Sequence, residues 1–141
     1  MKVNNIHTTN YYNAFIAVAD DCPIATGEMP PLKGTEKTAA NIQFEMVIEH
    51  PYQYTSDDVV FQVFAVKQQV GARTYDAERA QFFSKGQPCM RASPLTKRYG
   101  WGIHFNEEGK LALYARESAE YKKYIQDERL QQVKAMRSKR V

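Results

Sequence analysis

Residues 101–115 read WGIHFNEEGKLALYA, and this stretch decides the fold. Its first five residues place large apolar side chains at alternate positions, which is the two-residue period of a β-strand. A second alternating run begins at Leu111. The residues between the runs, NEEGK, have turn chemistry, with Gly109 free to adopt a positive φ. The stretch therefore predicts a β-hairpin.

The register of this hairpin decides which side chains share a face of the sheet. Pairing Phe105 with Leu111, and Ile103 with Leu113, puts the large apolar side chains of both strands on one face. A slip of one residue would expose Leu111 and Leu113, so we expect the first register. The opposite face then carries Gly102, His104, Ala112 and Tyr114.

Size and composition are those of an ordinary globular domain. The chain has 141 residues, of which 43% are hydrophobic and 25% charged, so we expect a single domain, 1–141, that folds without disulfides or metal. Its N-terminus lacks an apolar signal region, and no apolar run approaches the roughly 20 residues of a spanning helix. Cys22 and Cys89 lie far apart in the sequence. We therefore expect a cytoplasmic protein with free thiols and no membrane partner.

The rest of the chain predicts one further strand and four helices. Residues 11–18, YYNAFIAV, are typical of a central strand, and the proline-rich residues 20–33 predict a long loop. The β-branched residues in 56–69 suit a strand, but the hydroxyl and acidic residues before them favour a capped helix, which we choose. The first predicted helix begins at Thr35 or Thr38 and ends near Glu49. The other three span residues 56–69, 77–83 (capped by Asp76) and 118–136. The fold class is then α+β, a small antiparallel sheet (N-terminal strand plus C-terminal hairpin) packed with four helices.

A basic segment precedes the hairpin. Four cations without an intervening acid lie within fourteen residues: Lys85, Arg91, Lys97 and Arg98. Pro88 and Pro94 restrict this loop, which lowers the entropy cost of presenting the cations to an anion. Tyr99 and Trp101 offer stacking surfaces beside it. The alternative is that the cations are solvated or pair with surface acids.

Catalytic and metal-binding patterns are weak. Cys89 lies among cations that favour a thiolate, and His104 would approach it if the loop folds back over the hairpin. This leaves a hydrolase-like enzyme using Cys89 or His104 as an alternative. The histidines are scattered without ligand spacing, so we expect no metal, and no motif indicates a cofactor.

The C-terminus is basic. Lys134, Arg137, Lys139 and Arg140 follow one another without an acid, which predicts a frayed tail over residues 134–141. Salt-sensitive attraction to nucleic acid is a weaker alternative, because the net charge of the whole chain is only +3. We do not expect nucleic acid as the main partner.

Three phrases carry a family resemblance. They are TNYYNAFIAVADDCP (residues 9–23), PYQYTSDDV (51–59) and FFSKGQPCMRASPLTKRYGWGIHF (82–105). They resemble a family of small bacterial proteins catalogued only as a domain of unknown function, over roughly residues 5 to 125. The resemblance implies a bacterial cytosolic origin and one domain, and it transfers no catalytic residue.

These observations predict a small cytosolic binding domain for an anionic small molecule or an acidic partner. The basic loop would neutralise the charge, and aromatic residues beside it would orient the ligand. Whether the chain is an enzyme, and whether it is a monomer or a homodimer, both stay open. The predicted ligand-binding residues are Lys85, Arg91, Lys97, Arg98, Tyr99, His104 and Tyr114.

Overall fold

The structure, a computed structural model, describes residues 2–3 and 6–138. The strands in this part of the chain are β1 (Lys2–Val3), β2 (Ile6–His7), β3 (Ala14–Ala17), β4 (Trp101–Phe105), β5 (Leu111–Ala115) and β6 (Gln131–Lys134). The helices are α1 (Ala39–Ile48), α2 (Ser56–Lys67), α3 (Tyr75–Phe82), α4 (Pro94–Lys97) and α5 (Ala119–Ile125), with a 3₁₀ turn at Met90–Ala92. The fold class is α+β, as predicted.

The main sheet has four strands in the order β5-β4-β3-β6. β3 is an inner strand, antiparallel to β4 and parallel to β6, so the prediction of a central N-terminal strand is confirmed over a shorter span. The prediction of a purely antiparallel sheet is wrong, because β6 adds a parallel strand at the edge. β1 and β2 form a separate antiparallel pair.

The hairpin has the predicted register. Phe105 pairs with Leu111 and Ile103 pairs with Leu113. Gly109 in the turn has a φ of 80°, as the turn chemistry requires. Each of the four large apolar side chains is at least nine-tenths buried, so the register places them in the core.

The two faces of the sheet pack against different helices. Ile103 and Phe105 face the larger core, which includes Val47 of α1, Val59 of α2 and Leu95 of α4. The opposite face packs against α5, through a smaller cluster centred on Phe15 and Tyr121. α3 packs on α2 outside the sheet, through a third cluster around Phe61. The fold therefore has helices on both sides of the sheet.

The first two predicted helices are confirmed. Each begins with a capping box, in which the hydroxyl of the N-cap threonine accepts a hydrogen bond from a backbone N–H three residues on, and the backbone N–H of the threonine donates to the side chain of that residue. Thr38 caps α1 and Thr55 caps α2, which settles residues 56–67 as helix rather than strand. α3 begins before the predicted position. Its N-cap is Thr74, and Asp76 lies in its first turn instead.

The predicted helix over residues 118–136 is wrong beyond Ile125. The Asp127 carboxylate accepts a hydrogen bond from the Arg129 N–H at 2.9 Å, which turns the chain out of the helix. Residues 131–134 then pair with the free edge of β3. Long-range pairing with this edge gives Gln131–Lys134 a strand that its own sequence does not favour.

The predicted C-terminal tail begins inside this strand. Lys134 is the last residue of β6, and its Nζ lies 2.6 Å from a carboxylate oxygen of Asp20. The N–H of Met136 donates to the carbonyl of Arg91, and the N–H of Ser138 donates to the Asp21 carboxylate. Residues 139–141 of the predicted tail lie outside the described residues.

Gly102 of β4 is the closest point between the sheet and α5. A Cβ at this position would lie 2.5 Å from the Phe15 ring and 2.6 Å from the Tyr121 ring, closer than real Cβ contacts come. The ring of Tyr121 thus occupies the space above the glycine. Its hydroxyl accepts a hydrogen bond from the N–H of Val18 at 2.9 Å, which ties α5 to the end of β3.

We expect Gly102→Ala to lower the free energy of unfolding by about 1–3 kcal/mol, because the added methyl overpacks this contact. Urea denaturation measures the change. The control is Gly71→Ala, where an added Cβ meets nothing within 4 Å. That variant should stay within about 1 kcal/mol of the parent chain. Equal effects of the two substitutions would contradict this packing argument.

Candidate functional site

The segment between α3 and β4, where the sequence predicts a ligand, is ordered by short helices. Its Ser93 hydroxyl caps α4 by accepting a hydrogen bond from the N–H of Leu95, and Pro94 occupies the first helical position. The Gln87 side chain donates to the carbonyl of Phe82 at 2.9 Å. Leu95 and Thr96 are fully buried. The sequence pattern predicts neither α4 nor the 3₁₀ turn at Met90–Ala92 that precedes it.

The basic segment and the basic C-terminus meet at one edge of the sheet. Arg91 Nε donates to the carbonyl of Lys134 at 2.8 Å. Lys134 in turn bonds Asp20 just beyond the end of β3. The Lys134 hydrogen bond, followed by its charge and those of Arg137 and Arg116, lowers the pKa of the Asp20 carboxyl. We call Arg91 and the three cations that act on Asp20 the basic edge: Arg91, Arg116, Lys134 and Arg137.

The other predicted cations are distributed around this edge and away from it. The carbonyl of Thr96 accepts a hydrogen bond from the N–H of Ala19. This bond brings the backbone segment that leads into Lys97 next to the segment that leads into Asp20. Arg98 follows as the exposed C-cap of α4. Lys85, by contrast, is exposed beside the end of α3. Of the four predicted cations, the structure therefore brings three towards one end of the sheet.

Tyr99 and Trp101 form hydrogen bonds with the long loop of residues 20–33. The Trp101 indole N–H donates to the Glu28 carbonyl at 2.8 Å, and the Glu28 N–H donates to the Tyr99 carbonyl. The Trp101 ring also packs on Phe44 of α1, with ring centres 5.4 Å apart. Both rings pack against the larger core, so the structure uses them to hold the loop in place.

His104 and Tyr114 belong to a polar cluster under α5. The Tyr52 hydroxyl oxygen lies 2.7 Å from His104 Nδ1 and 2.8 Å from the Tyr114 hydroxyl. The His104 ring stacks on Tyr124 of α5, with centres 4.1 Å apart and planes 12° from parallel. Tyr52 reaches this position with a φ of 60°, a strained value for a non-glycine residue. We call Tyr52, His104, Tyr114 and Tyr124 the tyrosine–histidine cluster.

This cluster does not join the cations. α4, which carries Lys97, packs with Leu95 on the Ile103 face of the sheet. His104 lies on the opposite face, under Tyr124. The expectation that His104 and Tyr114 lie together outside the main core is confirmed, but the sheet separates them from α4 and its cations. No such separation is visible in the sequence, where His104 is only six residues from Arg98.

Burial shifts the titration of this cluster. Desolvation lowers the pKa of His104, and the nearby charge of Asp127 offsets part of that effect. Burial, followed by the hydrogen bond that Tyr52 donates to Tyr114, raises the pKa of Tyr52 far above its ordinary value. Burial also raises the pKa of Tyr114. These shifts favour the neutral forms of Tyr52, His104 and Tyr114.

We expect the chain to become less stable as the pH falls below 6.5. Because the folded state lowers the pKa of His104 from its ordinary value of 6.5, the unfolded chain binds more protons below that pH. This stabilisation is complete above 6.5 and is lost as the pH falls towards the folded pKa. Urea denaturation between about pH 5 and 7.5 should show it, with a smaller slope in His104→Gln.

The direct measurement is an NMR titration of the His104 ring protons. The midpoint should lie below 6.5. Asp20 and Asp127, whose pKa values are lowered from 3.8, titrate outside this window. A midpoint at or above 6.5 would show that burial does not control the imidazole.

Cys89 and His104 do not form a catalytic pair. The Cys89 sulfur lies 3.4 Å from the Tyr11 hydroxyl, and the Tyr11 ring packs on Phe105. Cys89 is therefore on the Phe105 side of the sheet, whereas His104 points to the other side. The expected approach of the loop to His104 is wrong, because the loop instead packs with Met90 in the larger core.

Sequence reasoning missed two members of the tyrosine–histidine cluster. Nothing in the sequence context of Tyr52 predicts its positive φ. Tyr124 lies three residues after Tyr121, so the two side chains share one face of a helix. This three-residue spacing is the feature of the sequence that could have placed Tyr124 beside Tyr121 against the sheet.

Some general properties limit the chemistry of the described residues. In residues 2–3 and 6–138, no group of three or more His, Cys, Asp or Glu side chains is arranged to hold a metal ion. The same part of the chain contains no helix long and apolar enough to cross a membrane.

A family model described as "Family of unknown function (DUF6157)" matches residues 6–141. The chain belongs to this family. Comparisons with curated proteins and with solved structures found no match. The membership confirms the resemblance seen in the sequence, and it assigns no residue a role.

Proposed function

We propose that this protein binds an anionic ligand at the basic edge. The observation that carries the proposal is the contact of Arg91 with the backbone of Lys134, which joins the basic loop to the basic C-terminal strand. Two segments more than forty residues apart thereby place their cations together. Lys97 and Arg98 of the predicted set lie at the same end of the sheet. The proposed site at the basic edge does not include Lys85, His104 or Tyr114.

The acids at this edge are already engaged. Asp20 bonds Lys134, and Asp21 accepts a hydrogen bond from the N–H of Ser138. Arg91 uses its Nε and Arg116 one terminal nitrogen for backbone carbonyls. Each guanidinium therefore keeps further N–H groups for a ligand. Planar guanidinium groups match the oxygen geometry of phosphates and carboxylates, which are the ligands we expect here.

Inorganic pyrophosphate is a suitable probe of this edge. Its addition should raise the melting temperature, and calorimetry should show binding that weakens as NaCl increases. Arg91→Gln combined with Arg137→Gln should weaken binding by roughly tenfold or more, since a hydrogen bond to a charged group contributes about 1.5–3 kcal/mol. The matched control is Lys85→Gln combined with Arg73→Gln, which removes the same charge from exposed positions elsewhere.

Binding that falls equally in both double variants would mean that only net charge matters, and would contradict a site at this edge. The absence of pyrophosphate binding, together with the absence of tricarboxylate binding, would also contradict it. A duplex oligonucleotide tests the nucleic-acid alternative. If it binds with the steep salt dependence of many phosphate contacts while pyrophosphate does not bind, that alternative replaces the proposal.

A further inference from the structure

An apolar cleft lies on the other side of the loop segment from Arg91. Its volume is about 410 Å³, within the range of roughly 300–1,000 Å³ that ligand pockets occupy. The cleft lies between α1, α2, the end of α3 and the loop, and none of its lining residues is charged. Its apolar wall includes Val60, Val63, Phe64, Phe82, Pro88 and Met90.

Gln43 of α1 lines this cleft with an amide that has a free donor. The residue is only 7% exposed. Its carbonyl oxygen accepts the hydroxyl proton of Ser93 at 2.5 Å, and the Ser93 oxygen already accepts the N–H of Leu95. The Gln43 amide is oriented with its carbonyl oxygen towards this hydroxyl, so its N–H₂ group is left without a bond to Ser93. The amide nitrogen has no hydrogen-bond partner among the described residues.

The amide N–H₂ of Gln43 is therefore a donor that a ligand oxygen in the cleft can use. The second polar group at the cleft is the half-buried thiol of Cys89. Gln87, the other amide on the wall, is already held by its bond to the carbonyl of Phe82. Gln43 and Cys89 therefore line the same cleft, one with a hydrogen-bond donor that no described residue uses and the other with a thiol.

We infer that this cleft binds a small uncharged molecule with an apolar body and a carbonyl oxygen. The apolar body packs against the α2 wall, and the carbonyl oxygen accepts a hydrogen bond from Gln43. An uncharged ligand follows from the lining, since burying an unpaired charge there would be costly. This site is separate from the basic edge, so either can fail a test without the other.

N-phenylmaleimide is a probe that reports occupancy of the cleft through Cys89. It carries a phenyl ring and two carbonyl oxygens. In the reaction the thiol sulfur bonds to one alkene carbon, the carbon–carbon π bond breaks, and the thiol proton ends on the neighbouring carbon. The Cys22→Ser chain leaves Cys89 as the single thiol. Intact-mass spectrometry then follows the labelling with time.

The labelling rate should saturate with N-phenylmaleimide concentration, because binding precedes addition. N-(2-carboxyethyl)maleimide, which is charged, should react without saturation. After division by the rate of each reagent with glutathione, the phenyl reagent should be at least about tenfold faster, since burying an aromatic ring contributes roughly 1.5–3 kcal/mol. Cyclohexanone, which has the expected carbonyl, should slow the labelling.

Two variants on α2 provide the matched comparison. Val63→Gln puts a polar group on the wall of the cleft, whereas Val66→Gln makes the same change at a position outside it. Val63→Gln should remove most of the preference for the phenyl reagent, and Val66→Gln should keep it. Gln43→Leu should raise the half-saturating concentration at least about fivefold and abolish protection by cyclohexanone, through loss of one hydrogen bond.

Rates that rise linearly with both reagents, with no preference for the phenyl ring, would overturn the inference. Equal behaviour of Val63→Gln and Val66→Gln would overturn it as well. If labelling slows as the protein concentration increases, a second copy of the chain covers the cleft, and the small-molecule site is wrong. A melting curve for Gln43→Leu shows whether it is folded; Val63→Gln carries the test if it is not.

Discussion

The contact between Gly102 and Tyr121 fixes the relation between the sheet and everything on its outer face. Because β4 carries no side chain at residue 102, the Tyr121 ring lies directly on the strand, and its hydroxyl binds the N–H of Val18. α5 is thereby held at one position along the sheet. Tyr124, one helical turn further, then lies over His104. His104 and Tyr114 also hydrogen-bond Tyr52, which completes the cluster beneath the helix.

The same alternation along β4 separates two kinds of chemistry. Ile103 and Phe105 face an apolar core against which the loop and its cysteine pack. His104, between them in sequence, faces a polar cluster in which burial holds its pKa down. A strand needs at least three residues to present Ile103 and Phe105 on one face and His104 on the other. A helix would instead spread the three side chains around its axis. The period of the strand therefore decides that the cations and the imidazole serve different surfaces.

Local sequence patterns predicted the elements whose stability is local. The hairpin register followed from the apolar pattern alone, and the helix at Ser56 followed from its cap, although its β-branched residues suggested a strand. The residues QQVK of β6 carry no comparable signal. They form a strand because β3 has a free edge beside them, and a single sequence does not show that edge. Tyr52 escaped prediction for a similar reason, since only tertiary contacts hold its φ at 60°. Of the cations proposed for the basic edge, only Arg91 belongs to the predicted loop, and the other three come from distant parts of the chain.

One short turn lies between the two proposed sites. Met90 and Ala92 line the apolar cleft, and Arg91 between them points to β6, where its side chain and its carbonyl both bind the backbone. The turn is closed by hydrogen bonds from the N–H of Ala92 to the carbonyl of Cys89 and from the N–H of Ser93 to the carbonyl of Met90, which join the cleft wall to Arg91 through the backbone. A ligand that displaces the cleft wall would therefore displace Arg91 relative to Lys134. Since coupling between two binding sites is reciprocal, an anion that fixes Arg91 would change the affinity of the cleft by the same factor.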